Sequence, residues 1–108
     1  QALMALNDPP TAIFCASDLL AIGAMEAIND AGKRVPEDFS IIGFDGIDLG
    51  QLLTPKLTTI KQNTHEMGKL AAMNMLNNIK TPKAAKQGKT FTVTTTLIKG
   101  DTTKPYTG

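Results

Sequence analysis

The chain has 108 residues, 42% of them hydrophobic, and a net charge of +1: material for one domain with a modest core, or a piece of one, and too little for two. Its lysines and arginines are spread from Lys33 to Lys104 with no cluster to neutralise a run of phosphates, which argues against direct nucleic-acid binding by this chain. No apolar run approaches the roughly 18 residues of a membrane helix and no secretory leader opens the sequence, so nothing in it argues for export or membrane insertion.

Residues 1–6 read as the last turns of an apolar helix whose beginning is absent, and Gln1 stands where a Met would start a chain, so the sequence reads as a fragment. Asn7-Asp8-Pro9-Pro10 stops that helix. A short apolar run over 11–16 then suits a strand buried on both faces. Its Cys15, the single cysteine, cannot form an internal disulfide, which favours a reducing compartment and a buried, inert thiol. Ser17 and Asp18 follow at once, and either can cap the helix predicted over 19–31. On a helical wheel the apolar arc runs from Gly23 through Leu20 and Ala24 to Met25 and predicts the core-facing side. Leu19 and Ile22 intrude into the polar sector of Glu26, Asn29 and Asp30, which points to a second contact surface. Gly32 closes the helix as a left-handed cap, with Lys33 and Arg34 at its negative end.

Val35-Pro36-Glu37-Asp38 is a turn, and 39–44 a second strand. Strand, helix and strand joined by short connections imply a parallel sheet with right-handed crossovers, and hence an α/β fold. Leu49, Leu52 and Leu53 recur at helical spacing in a segment too short for a free helix, so that turn must lean on the core or on another copy of the chain. The β-branched run over 57–62 is a third strand. Asn63, with Glu66 three positions on, fits a capping box opening a helix over 64–80, whose Gly68, Ala71, Ala72, Met75, Leu76 and Ile79 form a core stripe. A solvated loop over 81–88, a strand over 91–98 and a polar tail over 100–108 complete the chain.

Catalysis finds little support. Ser17, His65 and Asp45 supply the residue types of an activated nucleophile, but Ser17 lies in no nucleophile elbow and His65 sits in a first helical turn. One His and one Cys far apart give no metal-ligand spacing, and Gly43, Gly46 and Gly50 match no phosphate-binding loop, so no enzyme activity and no cofactor or metal are expected. A binding site remains. Asp45 and Ser17 both lie just past the carboxyl ends of adjacent parallel strands, where open α/β sheets place ligands. A carboxylate there can accept two hydroxyl hydrogen bonds from a sugar, or equally a purine N–H.

Five motifs in order, PTAIF, D-x-x-A-x-G, VPED-x-S, G-F-D and P-x-LTTI, make the chain resemble the effector-binding domain of LacI/GalR-type bacterial transcription regulators, best over residues 10–75. The resemblance implies an incomplete parallel-sheet sandwich of the periplasmic-binding-protein type I, the C-terminal portion of it. Its parts would be one effector subdomain over 1–62, a helix and loop of the other over 63–90, and a closing strand and tail over 91–108. It further implies a cytoplasmic repressor that senses a small effector, sugar or purine-like, in an interdomain cleft. Asp45, Ser17 and Gln62 would bind effector, with Ser17 where Asn is usual. Ile22, Met25, Glu26, Leu49, Leu52 and Leu53 would form a homodimer surface. Operator DNA would be bound only by a helix-turn-helix domain absent from this chain, and no membrane would be involved. Gly100 replaces the Arg of the closing L-I-x-R-x-S-T, so any salt bridge of that Arg is missing. A transport-linked, periplasmic-type sugar-binding protein is the alternative.

Overall fold

Strand-forming and helix-forming stretches alternate through the first half of the computed structural model, which describes residues 2–85 and 88–108. Its elements are β1 (Ala12–Phe14), α1 (Asp18–Asp30), β2 (Ser40–Asp45), α2 (Asp48–Gln51), β3 (Thr58–Lys61), α3 (Thr64–Lys80), α4 (Pro82–Ala85) and β4 (Thr96–Ile98). The strands form one sheet in the order β1-β2-β3-β4. β1 and β2 pair parallel with Phe14 opposite Ile42, and β2 and β3 pair parallel with Asp45 opposite Lys61, as expected for α/β connections. The chain divides into two compact units, Gln1–Lys61 with Leu97–Gly108, and Gln62–Thr96.

The first unit holds the core: Cys15, Ala21, Ile28, Phe39, Ile41 and Leu57 are buried together, with Ile13, Ala24, Met25 and Val35 packed against them. A helix turns 3.6 residues at a time, so Asp18, Ala21 and Ile28 fall on one narrow stripe of α1, and they are its only fully covered positions. That stripe is narrower than the predicted arc. Leu20 is 61% exposed, because α1 covers one face of the sheet and turns its far side away from the core. For the same reason β1 is not buried on both faces: Ile13 points to the core, while Phe14, pointing the other way, is 62% exposed. The helix ends in a Schellman arrangement, with the Lys33 amide donating to the Ile28 carbonyl and that of Gly32 to Asn29.

α2 leans on its own unit. Leu57 donates its amide to the Gly50 carbonyl at 3.0 Å, and the Gln51 side chain donates to the Leu57 carbonyl at 3.2 Å, which leaves Leu49 and Leu52 outside. The residues after β4 are no tail. Thr102 is fully buried; its hydroxyl donates to the Ile41 carbonyl at 2.7 Å and accepts the Thr58 amide at 2.9 Å, while the Ile41 amide donates to its carbonyl at 2.8 Å. One side chain thus clips β2 to β3. Gly100 donates to the Thr58 hydroxyl at 3.0 Å, and a Cβ on it would collide with the Lys56 carbonyl, so the position where the resemblance expects Arg has no room for a side chain on this backbone. Residues 2–5 form turns where a helical remnant was expected.

In the second unit Asn63 caps α3, accepting the Glu66 amide at 3.2 Å. The predicted core stripe is not a core here: α3 has no buried residue, and Met75, Leu76 and Ile79 are each more than half exposed. Residues 82–85, expected in a loop, form α4, opened by a proline at its first position, where the missing N–H costs nothing. Lys86 and Gln87 of that expected loop lie outside the described residues. The strand expected over 91–98 is only Thr96–Ile98, because β-branched residues need a ladder partner and 91–95 pair with no strand among the described residues.

Candidate functional site

In-register pairing sets the geometry of the sheet's carboxyl edge. Phe14 stands opposite Ile42, and three residues further on lie Ser17, in the connection from β1 to α1, and Asp45, the last residue of β2. Ser17 is the N-cap of α1, its hydroxyl oxygen accepting the Leu20 amide at 3.2 Å. The cap uses the oxygen as acceptor, so the hydroxyl hydrogen can still donate to a ligand. Asp45 ends β2 with φ 130°, a backbone angle that non-glycine residues avoid at a cost of about 1–3 kcal/mol. A donor hydroxyl and an acceptor carboxylate at one sheet edge are a pair suited to a polyhydroxylated ligand. Gln62, the third expected contact, is half-buried immediately after β3, in the second compact unit.

Asp18, read from sequence as a cap, does something else. It is fully buried, with Oδ2 accepting the amides of Gly46 at 2.9 Å and Ile47 at 2.8 Å, and Oδ1 accepting the Thr59 hydroxyl at 2.5 Å. One carboxylate therefore joins the start of α1 to the loop after Asp45 and to β3. Two glycines make this possible. A Cβ at Gly43 would strike the Asp18 carboxylate, and one at Gly46, which has φ 77°, would strike Lys61. The glycine of the G-F-D motif is thus the seat of Asp18. No local pattern announces this, because the three donors lie 28, 29 and 41 residues away in sequence.

A second feature of the first unit is an open groove of about 550 Å³ between α1 and the turn after α2. Ile22, Met25, Glu26 and Leu53 line it, and Arg34 and Glu37 add charges of both signs. Of the expected dimer residues, Leu49 and Leu52 do not line it; they are 47% and 80% exposed. Cys15 is buried against Ala21 and Ile41, and burial pushes its thiol up from the ordinary range. Among the described residues no group of three or more His, Cys, Asp or Glu could hold a metal ion, and no helix is long and apolar enough to cross a membrane.

The profile of a family described as "Periplasmic binding protein-like domain" matches residues 1–103. The ribose operon repressor of Haemophilus influenzae is 48% identical over 82 residues, which are 76% of this chain and 25% of that protein. A LacI family transcriptional regulator from Enterococcus faecalis, solved with bound ribose, superposes with a TM-score of 0.85 at 34% identity, over 98% of this chain and 38% of that one. The lac repressor dimer bound to operator matches with a TM-score of 0.74 at 34% identity, over 87% of this chain and 32% of that one. The chain spans about a quarter of the length of the curated relatives it matches.

Proposed function

Since the chain belongs to the periplasmic binding protein-like domain family, with the LacI/GalR-type character of its motifs matched by its relatives, we propose that it is part of a repressor that senses a sugar. Asp45 and Ser17 serve as effector contacts in this reading, the carboxylate accepting from ligand hydroxyls and the serine donating. The observation that carries it is the position of these two residues, each three places past a paired residue at the carboxyl edge of parallel strands, in a chain that superposes on a ribose-bound regulator. Operator DNA is bound by a part of the protein outside this chain, and the protein works in the cytoplasm as a homodimer. Effector then changes operator affinity only to the extent that it binds one conformational state better than the other.

The experiment is titration calorimetry of the full-length protein against D-ribose, other sugars, sugar phosphates and purines, with Asp45→Ala in parallel. One compound binding, and losing about tenfold or more in the mutant, supports the reading. Equal binding by both proteins returns Asp45 to the role of a strand end.

The groove bounded by Ile22, Met25, Glu26 and Leu53 is the proposed dimer surface, extended by the exposed Leu49 and Leu52. Its apolar floor and mixed charges suit a self-complementary contact, in which each patch meets its own copy about a two-fold axis. Ile22→Glu places a charge in that floor and is expected to shift the full-length protein toward monomer in analytical ultracentrifugation; an unchanged mass counts against the surface.

A further inference from the structure

We propose that Asp18 is a positioning residue for effector recognition, a buried carboxylate that clamps the loop after β2 and thereby fixes where Asp45 presents its own carboxylate. The inference rests on the effector reading of Asp45. Asp45 is held at φ 130°, and such a conformation persists only when the surroundings over-determine it. The two residues that follow it donate their amides to one oxygen of Asp18, at 2.9 and 2.8 Å, so the chain is gripped one residue beyond the strained position. The other oxygen of Asp18 takes the Thr59 hydroxyl at 2.5 Å, which ties the grip to the middle of the sheet. Asp18 itself cannot drift, being fully buried at the first turn of α1 against the backbone of Gly43. Oδ2 is thus committed to two backbone donors and Oδ1 to one hydroxyl, and hydrogen bonds to an ionised acceptor are about twice as strong as neutral ones.

This arrangement also couples the two proposed contacts. Ser17 caps the same helix turn that Asp18 occupies, so the residue that grips the Asp45 loop is the chain neighbour of the serine. A ligand touching both groups meets a pair whose spacing is set through one buried carboxylate. Preorganisation of this kind lowers the cost of binding without adding a contact.

The test is a double-mutant cycle in the full-length protein, reading D-ribose affinity by calorimetry for Asp18→Asn, Asp45→Asn and the pair. Asp18→Asn keeps the shape and removes the charge; we expect it to weaken ribose by about tenfold, and to cost almost nothing further once Asp45 is already Asn. Full ribose affinity in Asp18→Asn overturns the inference, as do losses that simply add, because an additive loss is what a general stabilising role gives. Ribose binding indifferent to Asp45→Asn instead removes the effector reading, and the inference falls with it.

A ligand-free arm covers the case in which the unaltered protein binds no ribose. The Gly46 and Ile47 amides should be protected from hydrogen exchange and lose about tenfold of that protection in Asp18→Asn. Unchanged protection overturns the clamp on its own. Should Asp18→Asn fail to fold, Thr59→Val releases only the second oxygen; a several-fold loss of ribose affinity or of Gly46 and Ile47 protection supports the clamp, and wild-type behaviour in both overturns it.

Discussion

The two compact units treat their apolar side chains in opposite ways. In the unit of Gln1–Lys61 with Leu97–Gly108, Ile41 and Leu57 are fully buried, and Thr102 clips two strands together from the far end of the sequence. In the unit Gln62–Thr96, a 17-residue helix with an equally regular apolar stripe buries nothing completely. The difference is one of partners. A stripe at helical spacing states which side of a helix is available for burial, and only a second surface turns availability into a core.

Substitutions sharpen this contrast. Leu57→Ala should have the largest effect. The side chain is fully buried between Gly43 of β2 and Gly50 of α2, and removing it is expected to cost about 2–5 kcal/mol in urea unfolding of the 108-residue chain. A loss below about 1 kcal/mol would mean that the first unit collapses around the cavity and is less tightly packed than its burial implies.

Thr102→Val comes next. Valine fills nearly the same space but neither donates to the Ile41 carbonyl nor accepts from the Thr58 amide. Two backbone groups are left without that partner, both of them on buried strand residues, and about 1–3 kcal/mol should be lost in the same assay. Thr103→Val is the control, since its hydroxyl lies 3.4 Å from that of Thr58 at a partly buried contact and should matter less.

These two residues also mark what sequence can disclose. Leu57 opens a β-branched run after a proline, and the strand over 58–61 is legible from local chemistry alone. The helix over 64–80 is legible for the same kind of reason, since Asn63 and Glu66 write its start within four residues. Thr102 is different. It sits among glycine, proline and polar residues that compose like a tail, while its partners lie 44 and 61 residues earlier. Asp18 is concealed more thoroughly, because a capping role was available next door and explained the residue without any distant donor. For the candidate site, the placing of Ser17 after β1 and of Asp45 at the end of β2 follows from the order of elements. The clamp behind them depends on a fold already assembled.

Leu76→Ala is the smallest expected effect and the most direct probe of the contrast between the units. Leu76 lies on the apolar stripe of α3 with 57% of its surface exposed, so little burial is lost on truncation, and alanine is the better helix former. In the 108-residue chain the change should stay within about 0.5 kcal/mol, several-fold less than Leu57→Ala. A loss of about 2 kcal/mol or more would show that the stripe is covered in solution. Repeating the measurement at several protein concentrations would then tell a second copy, whose contribution rises with concentration, from a contact within the chain, whose contribution does not. The same substitution in the full-length protein extends the argument: a cost that rises there toward the Leu57 range would identify the stripe as a core face whose partner lies outside these residues, and an unchanged small cost would leave α3 a surface helix.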